Sequence, residues 1–492
     1  MGIITKQSIN SSIYIYFGIL IGFISSAIIG PSLLEPEQKG ILDFANSITT
    51  VIASICTLGL PLTIIRIFPS MKVSEAKKQN FIQFMWSTTL LGILIGLGCF
   101  AIYFFGFSNE FKNDRTSYFF ALAAFIAITF KIIFKNMDAL ERMSFKSVTG
   151  AFLESIVVKI LVLVSFLAYW QTKNIHLTFW LFIIALSSPG VIMLFRAIIY
   201  NRLKIFNWVS INKLDEKKEI KNLALYGLLG SIGSALVLSI DQLMITEMLG
   251  LEQTGIYSLG FFFGIFISTP SRGIKRIATA VLSDSWVKKD MENIKTIYQK
   301  SCINQIIIGI YLFLGIWFGI DYLFEYMKPE YAAAKYVILF IGLAQLVEMS
   351  TGVNYEVIAS SEYYRYNTYF VLLLILLVLI SNLILIPIWG INGAAIASLG
   401  AMTMVNILRF TFLYFKFKLQ PFELKLLIPL AIGAGCYFLD DLIPVIENNL
   451  FGLIVHGGLL TLVFWPLIII SKVSLDINGQ VSNLLKKIRG KK

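Results

Sequence analysis

The sequence predicts an all-α membrane protein with about 14 transmembrane helices: two six-helix bundles related by a pseudo-twofold axis along the membrane normal, plus two C-terminal helices. Three observations carry that prediction. Apolar stretches of about twenty residues recur from end to end. Of the 492 residues, 57% are hydrophobic and 14% charged. One short motif occurs twice, at matching places in the two halves.

Each apolar stretch is long enough to cross about 30 Å of hydrocarbon as a helix. The first six cover residues 8–30, 40–68, 81–105, 117–136, 148–170 and 177–200. A second six cover 222–249, 254–283, 301–319, 332–358, 366–387 and 392–415, and two more, 422–439 and 450–471, follow. Pro61, Pro189, Pro270 and Pro429 are expected hinge points, since each removes an amide donor from a helix ladder. The first stretch follows Lys6 and ends at Gly30-Pro31 without a small-x-small cleavage site, so it is expected to be a retained helix.

Composition excludes several classes. A soluble domain carries about a quarter charged residues, well above this chain's share. The net charge of +12 sits mainly in short connections between spans. That is the pattern of cytoplasmic retention, so no nucleic-acid partner is expected. Even-numbered connections and both tails hold most of the Lys and Arg, which predicts a multi-pass protein with both termini in the cytoplasm. Cys56, Cys99, Cys302 and Cys436 lie singly, without CxxC spacing, and the two histidines, His176 and His456, are far apart. No metal site or disulfide framework is expected. No Walker sequence or hydrolase motif occurs, and the outer loops are short, so the chain is expected to be a transporter rather than an enzyme.

The repeat sets the domain scheme. Glu37-Gln38-Lys39-Gly40-Ile41 reappears 215 residues on as Glu252-Gln253-Thr254-Gly255-Ile256, and the same offset brings Gly18 onto Gly233. Both copies enter spans of the same orientation, hence the expected axis along the membrane normal. The expected domains are an N-terminal six-helix lobe at 1–200 and a cytoplasmic linker at 201–221. A C-terminal lobe at 222–415 follows, then two extra transmembrane helices and a basic cytoplasmic tail at 416–492.

Cations inside apolar spans cost several kcal/mol unless they face water or an anion. Lys159, near the middle of its span, is expected to face a cavity or to pair with an acidic neighbour, and it is the leading candidate for an anion site. Arg272, Lys275 and Arg276 share one helical face and its edge, and Lys131 pairs with Lys135 at the same spacing. Snorkelling to headgroups is the competing explanation for both groups. Arg66, Arg196 and Arg409 lie near cytoplasmic helix ends, where anchoring is the default; Arg66 is added to the candidates because it follows a Gly-Leu-Pro bend. Asp241 and Glu348 lie deep in their spans and are expected either to couple H+ or Na+ or to pair with an intramembrane base.

Ile240-Asp241-Gln242-Leu243, followed by Leu249-Gly250 and Thr254-Gly255-Ile256-Tyr257-Ser258, resembles the seventh-to-eighth helix junction of bacterial polysaccharide flippases. These belong to the multidrug/oligosaccharidyl-lipid/polysaccharide transporter superfamily, which includes O-antigen and capsule repeat-unit flippases. The resemblance implies two bundles in a V that alternate access around a cationic cavity. It implies as cargo an undecaprenyl-pyrophosphate-linked oligosaccharide for O-antigen (lipopolysaccharide), capsule or another surface polysaccharide. Partners would be that lipid-linked oligosaccharide, membrane lipids and a polysaccharide polymerase or other biosynthetic membrane protein, with no cofactor beyond a coupling ion. The same architecture also serves lipid II flippases and ion-coupled multidrug exporters.

Overall fold

The computed structural model describes residues 3–71, 74–106, 115–144, 147–199, 217–444 and 446–488, and these residues contain helices, turns and no strand. Most of the expected linker and the last four residues of the basic tail lie outside them. By its contacts the chain forms two compact units, Met1–Ser258 and Leu259–Lys492.

In the first unit, α1 (Ile3–Phe23) runs through a π-helical turn, Ile24–Ile29, into α2 (Gly30–Leu33). A capping box starts α3 (Pro36–Cys56): the Glu35 side chain takes an amide of the first turn and Gln38 Oε1 accepts the Glu35 amide at 3.2 Å. Leu58 and Gly59, both at positive φ, turn the chain into α4 (Leu60–Met71), which is bent by 44° from α3. Helices α5 (Glu75–Gly106), α6 (Arg115–Met143) and α7 (Ser147–Phe152) follow. A second π-helical turn, Leu153–Val157, leads into α8 (Val158–Thr172) and then α9 (Ile175–Ile199). Next comes α10 (Lys217–Leu249), whose first turns extend into the expected linker, while α11 (Leu251–Ser268) spans the boundary between units. Apolar faces of α4, α5, α6 and α9 bury Ile64, Met85, Leu140 and Met193 together, and a second core gathers Leu34, Val162 and Phe179.

The second unit holds α12 (Ser271–Lys288), α13 (Met291–Phe324), α14 (Lys335–Ser350) and α15 (Asn354–Ser360). Element α16 (Tyr366–Phe417) is two helices joined at Gly390, where φ 57° and ψ −137° leave helical space. Last come α17 (Leu427–Asp440), α18 (Asn449–Ser471) and the amphipathic α19 (Leu475–Ile488). Ile307, Leu460 and Phe464 join α13 to α18, while Tyr298, Val357 and Leu413 join α13, α15 and α16. Helices α8, α12, α16 and α18 each end on a left-handed lysine (Lys173, Lys289, Lys418, Lys472), which sets a cation beside the negative helix end.

Among the described residues nine helices are long and apolar enough to cross a membrane, or ten if the bent pair α3 and α4 is one span. The difference from fourteen has a local cause at each place. Expected spans 366–387 and 392–415 are two helices on either side of the break at Gly390, counted together as the one element α16. Span 117–136 falls on α6, which also carries Lys131, Lys135 and Asp138; span 254–283 is divided between α11 and α12; and α17, in 422–439, has 14 residues. Two of the expected proline hinges coincide with breaks, Pro61 at the α3–α4 bend and Pro270 at the start of α12. Pro189 lies inside an unbroken α9, and Pro429 sits in the first turn of α17, where a missing amide costs little.

Candidate functional site

In the first unit α6 lies along α3, and their polar positions match turn for turn. Lys131 Nζ donates to Thr50 Oγ1 at 2.6 Å, and one turn on Lys135 Nζ donates to Ser54 Oγ, also at 2.6 Å. Both hydroxyls in turn donate to α3 carbonyls, Thr50 to Asn46 at 2.7 Å and Ser54 to Thr50 at 2.6 Å. Each ammonium has three donors and uses one on a neutral acceptor. Neither makes an ion pair among the described residues.

Lys159 joins them. Its stem lies over Gly22, where an added Cβ would meet Cδ at 3.2 Å and Cε at 3.3 Å. Just before it, the π-helical turn Leu153–Val157 sets the start of α8, and Gly18 of α1 packs against the Ser155 carbonyl in that turn. Lys131, Lys135 and Lys159 are close enough for their charges to interact with one another or with Glu154, and Lys159 also feels Asp43. Lys159 makes no hydrogen bond or ion pair among the described residues. Three partly buried ammonium groups whose charges interact with Glu154 and, for Lys159, with Asp43 form a group with excess positive charge, suited to an anion with several oxygens.

A buried cation that the sequence spans missed lies nearby. Lys39, 1% exposed, is ion-paired with Asp43 one turn on and donates to Ser258 Oγ at 3.1 Å, while Ser258 also bonds Asp43. Its spacing to Asp43 was a usable signal, lost because the expected span began at Gly40. Asp241 is buried in α10 and accepts the Tyr257 hydroxyl at 2.6 Å.

In the second unit a balanced ionic group forms where α14 stops. Lys275 Nζ lies 2.7 Å from Glu348 Oε1, Asn406 Nδ2 donates to Glu348 Oε2 at 2.9 Å, and Arg409 Nη1 is 3.8 Å from the same oxygen. Glu356, 9% exposed, completes the charge set, and its charge acts on Lys275, Glu348 and Arg409. Glu348 is thus paired with an intramembrane base. Arg409 is 5% exposed, so it is not the headgroup anchor that its position in the sequence suggests. Arg196 pairs with the buried Glu141 at 2.9 Å.

The candidates therefore divide between the units: Lys131 and Lys159 lie within range of each other's charge in the first, and Lys275 joins the ionic group of the second. Arg272 and Arg276 lie on the exposed side of α12. Arg66 is exposed on α4 and makes no hydrogen bond or ion pair among the described residues. His456 links Asp440 at 2.6 Å to the Tyr322 hydroxyl at 3.0 Å, tying α18 to α17 and α13. Among the described residues no group of three His, Cys, Asp or Glu could hold a metal ion.

A family profile described as polysaccharide biosynthesis protein matches residues 4–283, more than half the chain. The chain belongs to that family. Among solved structures, this polysaccharide biosynthesis family member is similar to the lipid II flippase MurJ in an inward closed conformation. The TM-score is 0.73 at 14% identity, over 93% of this chain and 98% of that one. It is also similar to an inward-facing multidrug resistance transporter of the MATE family and MOP superfamily, at a TM-score of 0.62 and 11% identity over 80% of this chain and 93% of that one. A MATE structure in complex with MaL6 gives a TM-score of 0.53 at 10% identity over 82% and 94% of the respective chains. No curated protein matches the sequence. The family member thus has the fold of membrane transporters.

Proposed function

We propose that this protein is a flippase that carries undecaprenyl-pyrophosphate-linked oligosaccharide repeat units across the bacterial cytoplasmic membrane by alternating access. The cargo would serve O-antigen, capsule or another surface polysaccharide. The observation that supports this best is the lysine group of the first unit: Lys131 lies within range of the charges of Lys135 and Lys159, and none of the three makes an ion pair among the described residues. A diphosphate headgroup supplies the acceptor oxygens and negative charge that such a group lacks. Membership of a polysaccharide biosynthesis family points to a glycan on that headgroup. In this reading Arg272, Lys275, Arg276 and Arg66 add cationic steps along the path, the chain crosses about fourteen times with both termini inside, and it works beside a polymerase. Asp241 takes up H+ or Na+ if transport is ion-coupled, and the chain itself performs no catalysis.

The test is complementation of a strain whose surface glycan export depends on this protein. Lys159→Met and Lys131→Met, inserted at wild-type levels, are expected to lose most export; full export by both defeats the proposal. The fold it shares with MATE transporters gives a second reading, an ion-coupled multidrug exporter. Reconstituted protein that drives efflux of cationic dyes, while export of lipid-linked glycan is absent, decides for that reading. Selective transport of lipid II decides for a lipid II flippase, the reading suggested by the similarity to MurJ.

A further inference from the structure

Arg409 is buried and under-bonded. It is 5% exposed, its Nε has no hydrogen-bond partner, and its nearest carboxylate oxygen, Glu348 Oε2, stands at 3.8 Å, outside hydrogen-bond range. The remaining contact of the guanidinium is with the Tyr355 ring, 5.4 Å from its centroid. A buried guanidinium presents five donors in a planar fork and ordinarily closes on a carboxylate or phosphate through two short bonds. Here the neighbouring carboxylate is engaged elsewhere. Glu348 gives Oε1 to Lys275 at 2.7 Å and Oε2 to Asn406 Nδ2 at 2.9 Å.

Asn406 is fixed in that role. Its Oδ1 accepts from Thr351 Oγ1 at 2.9 Å and from Asn354 Nδ2 at 2.8 Å, so its amide group is turned to Glu348. Glu348 sits at the end of α14, three residues before Thr351, where the helix stops and Gly352 takes φ 60°. Glu356 Oε2 is also buried without a partner, so a second carboxylate stands ready to offset Lys275 when Glu348 leaves it. The group is neutral in formal charge and incomplete in hydrogen bonds.

We propose that Lys275 and Arg409 form an oxyanion subsite and that Glu348, held by Asn406, is its resident stand-in, which a phosphate group displaces. The ligand class is a diphosphate, free or carried on a prenyl chain; the subsite rests on the anion-transport reading above. Glu348 then opposes anion entry, the reverse of what a structural salt bridge would do.

The experiment measures binding of inorganic pyrophosphate and of farnesyl diphosphate to the full-length protein in detergent by calorimetry. Glu348→Gln is expected to bind pyrophosphate about tenfold tighter than wild type, because a competing charge is removed. Asn406→Ala, which frees Glu348 without removing it, is expected to tighten binding by a smaller factor. Arg409→Gln should cancel the gain in the double variant with Glu348→Gln. Folding is followed by size-exclusion profile, and Asn406→Ala carries the test where Glu348→Gln does not fold. A larger gain with farnesyl diphosphate than with pyrophosphate assigns the subsite to a lipid-borne headgroup, and equal gains assign it to the phosphate alone. Unchanged or weaker binding in Glu348→Gln and Asn406→Ala overturns the subsite. If Lys159→Met abolishes binding while these variants do not alter it, the anion reading stands and the subsite falls. No binding by any form removes both.

Discussion

Gly40 and Gly255 face each other as a reciprocal pair: a Cβ on Gly40 would lie 1.9 Å from the Leu251 carbonyl oxygen, and a Cβ on Gly255 would lie 1.9 Å from the Pro36 carbonyl oxygen. The offset of the sequence repeat carries residue 36 onto 251 and 40 onto 255, so the two copies touch through equivalent atoms. Asp43 and Ser258, which are hydrogen-bonded, are related by the same 215 residues. A repeat visible in the sequence thus meets itself across a local twofold, at a distance that admits no side chain.

Alanine at either glycine is therefore expected to be costly. The atom a new methyl would strike is backbone oxygen, which cannot rotate away, so α3 and the start of α11 must separate. Gly40→Ala and Gly255→Ala should each destabilise the protein by about 1–3 kcal/mol or more, at the high end of overpacking costs. Thermal unfolding in detergent checks this, with Gly98→Ala as the control, since nothing lies within 4 Å of its Cβ. Equal melting of all three variants contradicts the reciprocal contact.

Gly22 offers a way to move Lys159 without touching its charge. Its Cβ position is in close contact with the flexible lysine stem, not with backbone, so Gly22→Val should fold and push Nζ from its place. Export is expected to fall about tenfold, a displacement of a few ångströms being enough to lose about one such factor of oriented binding. Gly22→Ala should be milder. Export unaffected by valine, with the protein normally inserted, separates Lys159's position from function.

Much of the fold was legible because spanning a bilayer restricts composition: the apolar windows, the repeat and two of the four proline hinges all correspond to features of the helices. The break at Thr351–Val353, inside the expected span 332–358, was not legible, since it has no proline and a glycine alone is common in membrane helices, whereas the break at Gly390 falls in the expected connection between 366–387 and 392–415. The lysines of α6 were legible as a same-face pair, but their hydroxyl partners on α3 required the packing of two helices distant in sequence. Arg409 was hidden for a related reason: a position near a helix end says nothing about whether neighbouring elements cover it.

His456 makes a stability prediction. Asp440 accepts or shares a proton with its Nδ1 at 2.6 Å, and its Nε2 meets the Tyr322 hydroxyl at 3.0 Å, with Gly452 leaving room for the tyrosine ring. His456→Phe keeps the ring volume and leaves Asp440 and Tyr322 without their partner. The expected loss is about 1.5–3 kcal/mol, the scale of a buried hydrogen bond to a charged group. Faster protease cleavage between α17 and α18, with pyrophosphate binding unchanged, is the readout; an unaltered cleavage rate would remove the role of His456 as a clip.

Lys39 and Asp43 test whether a buried pair on one helix acts as a unit. Lys39 is 1% exposed and its ammonium is ion-paired with Asp43 and donates to Ser258, so replacing the carboxylate takes the counter-charge from a buried cation. Asp43→Asn is expected to cost about 3–5 kcal/mol, as for other broken buried pairs. Lys39→Met alone should also be destabilising, because Asp43 would keep the Ser258 hydroxyl but lose its counter-charge. In Lys39→Met/Asp43→Leu both charges vanish and apolar volume remains, so the double variant should melt above either single one. Stability that instead falls by the sum of the single losses would mean that the two residues act independently, Lys39 serving α11 through Ser258 and Asp43 serving the α3 face on its own.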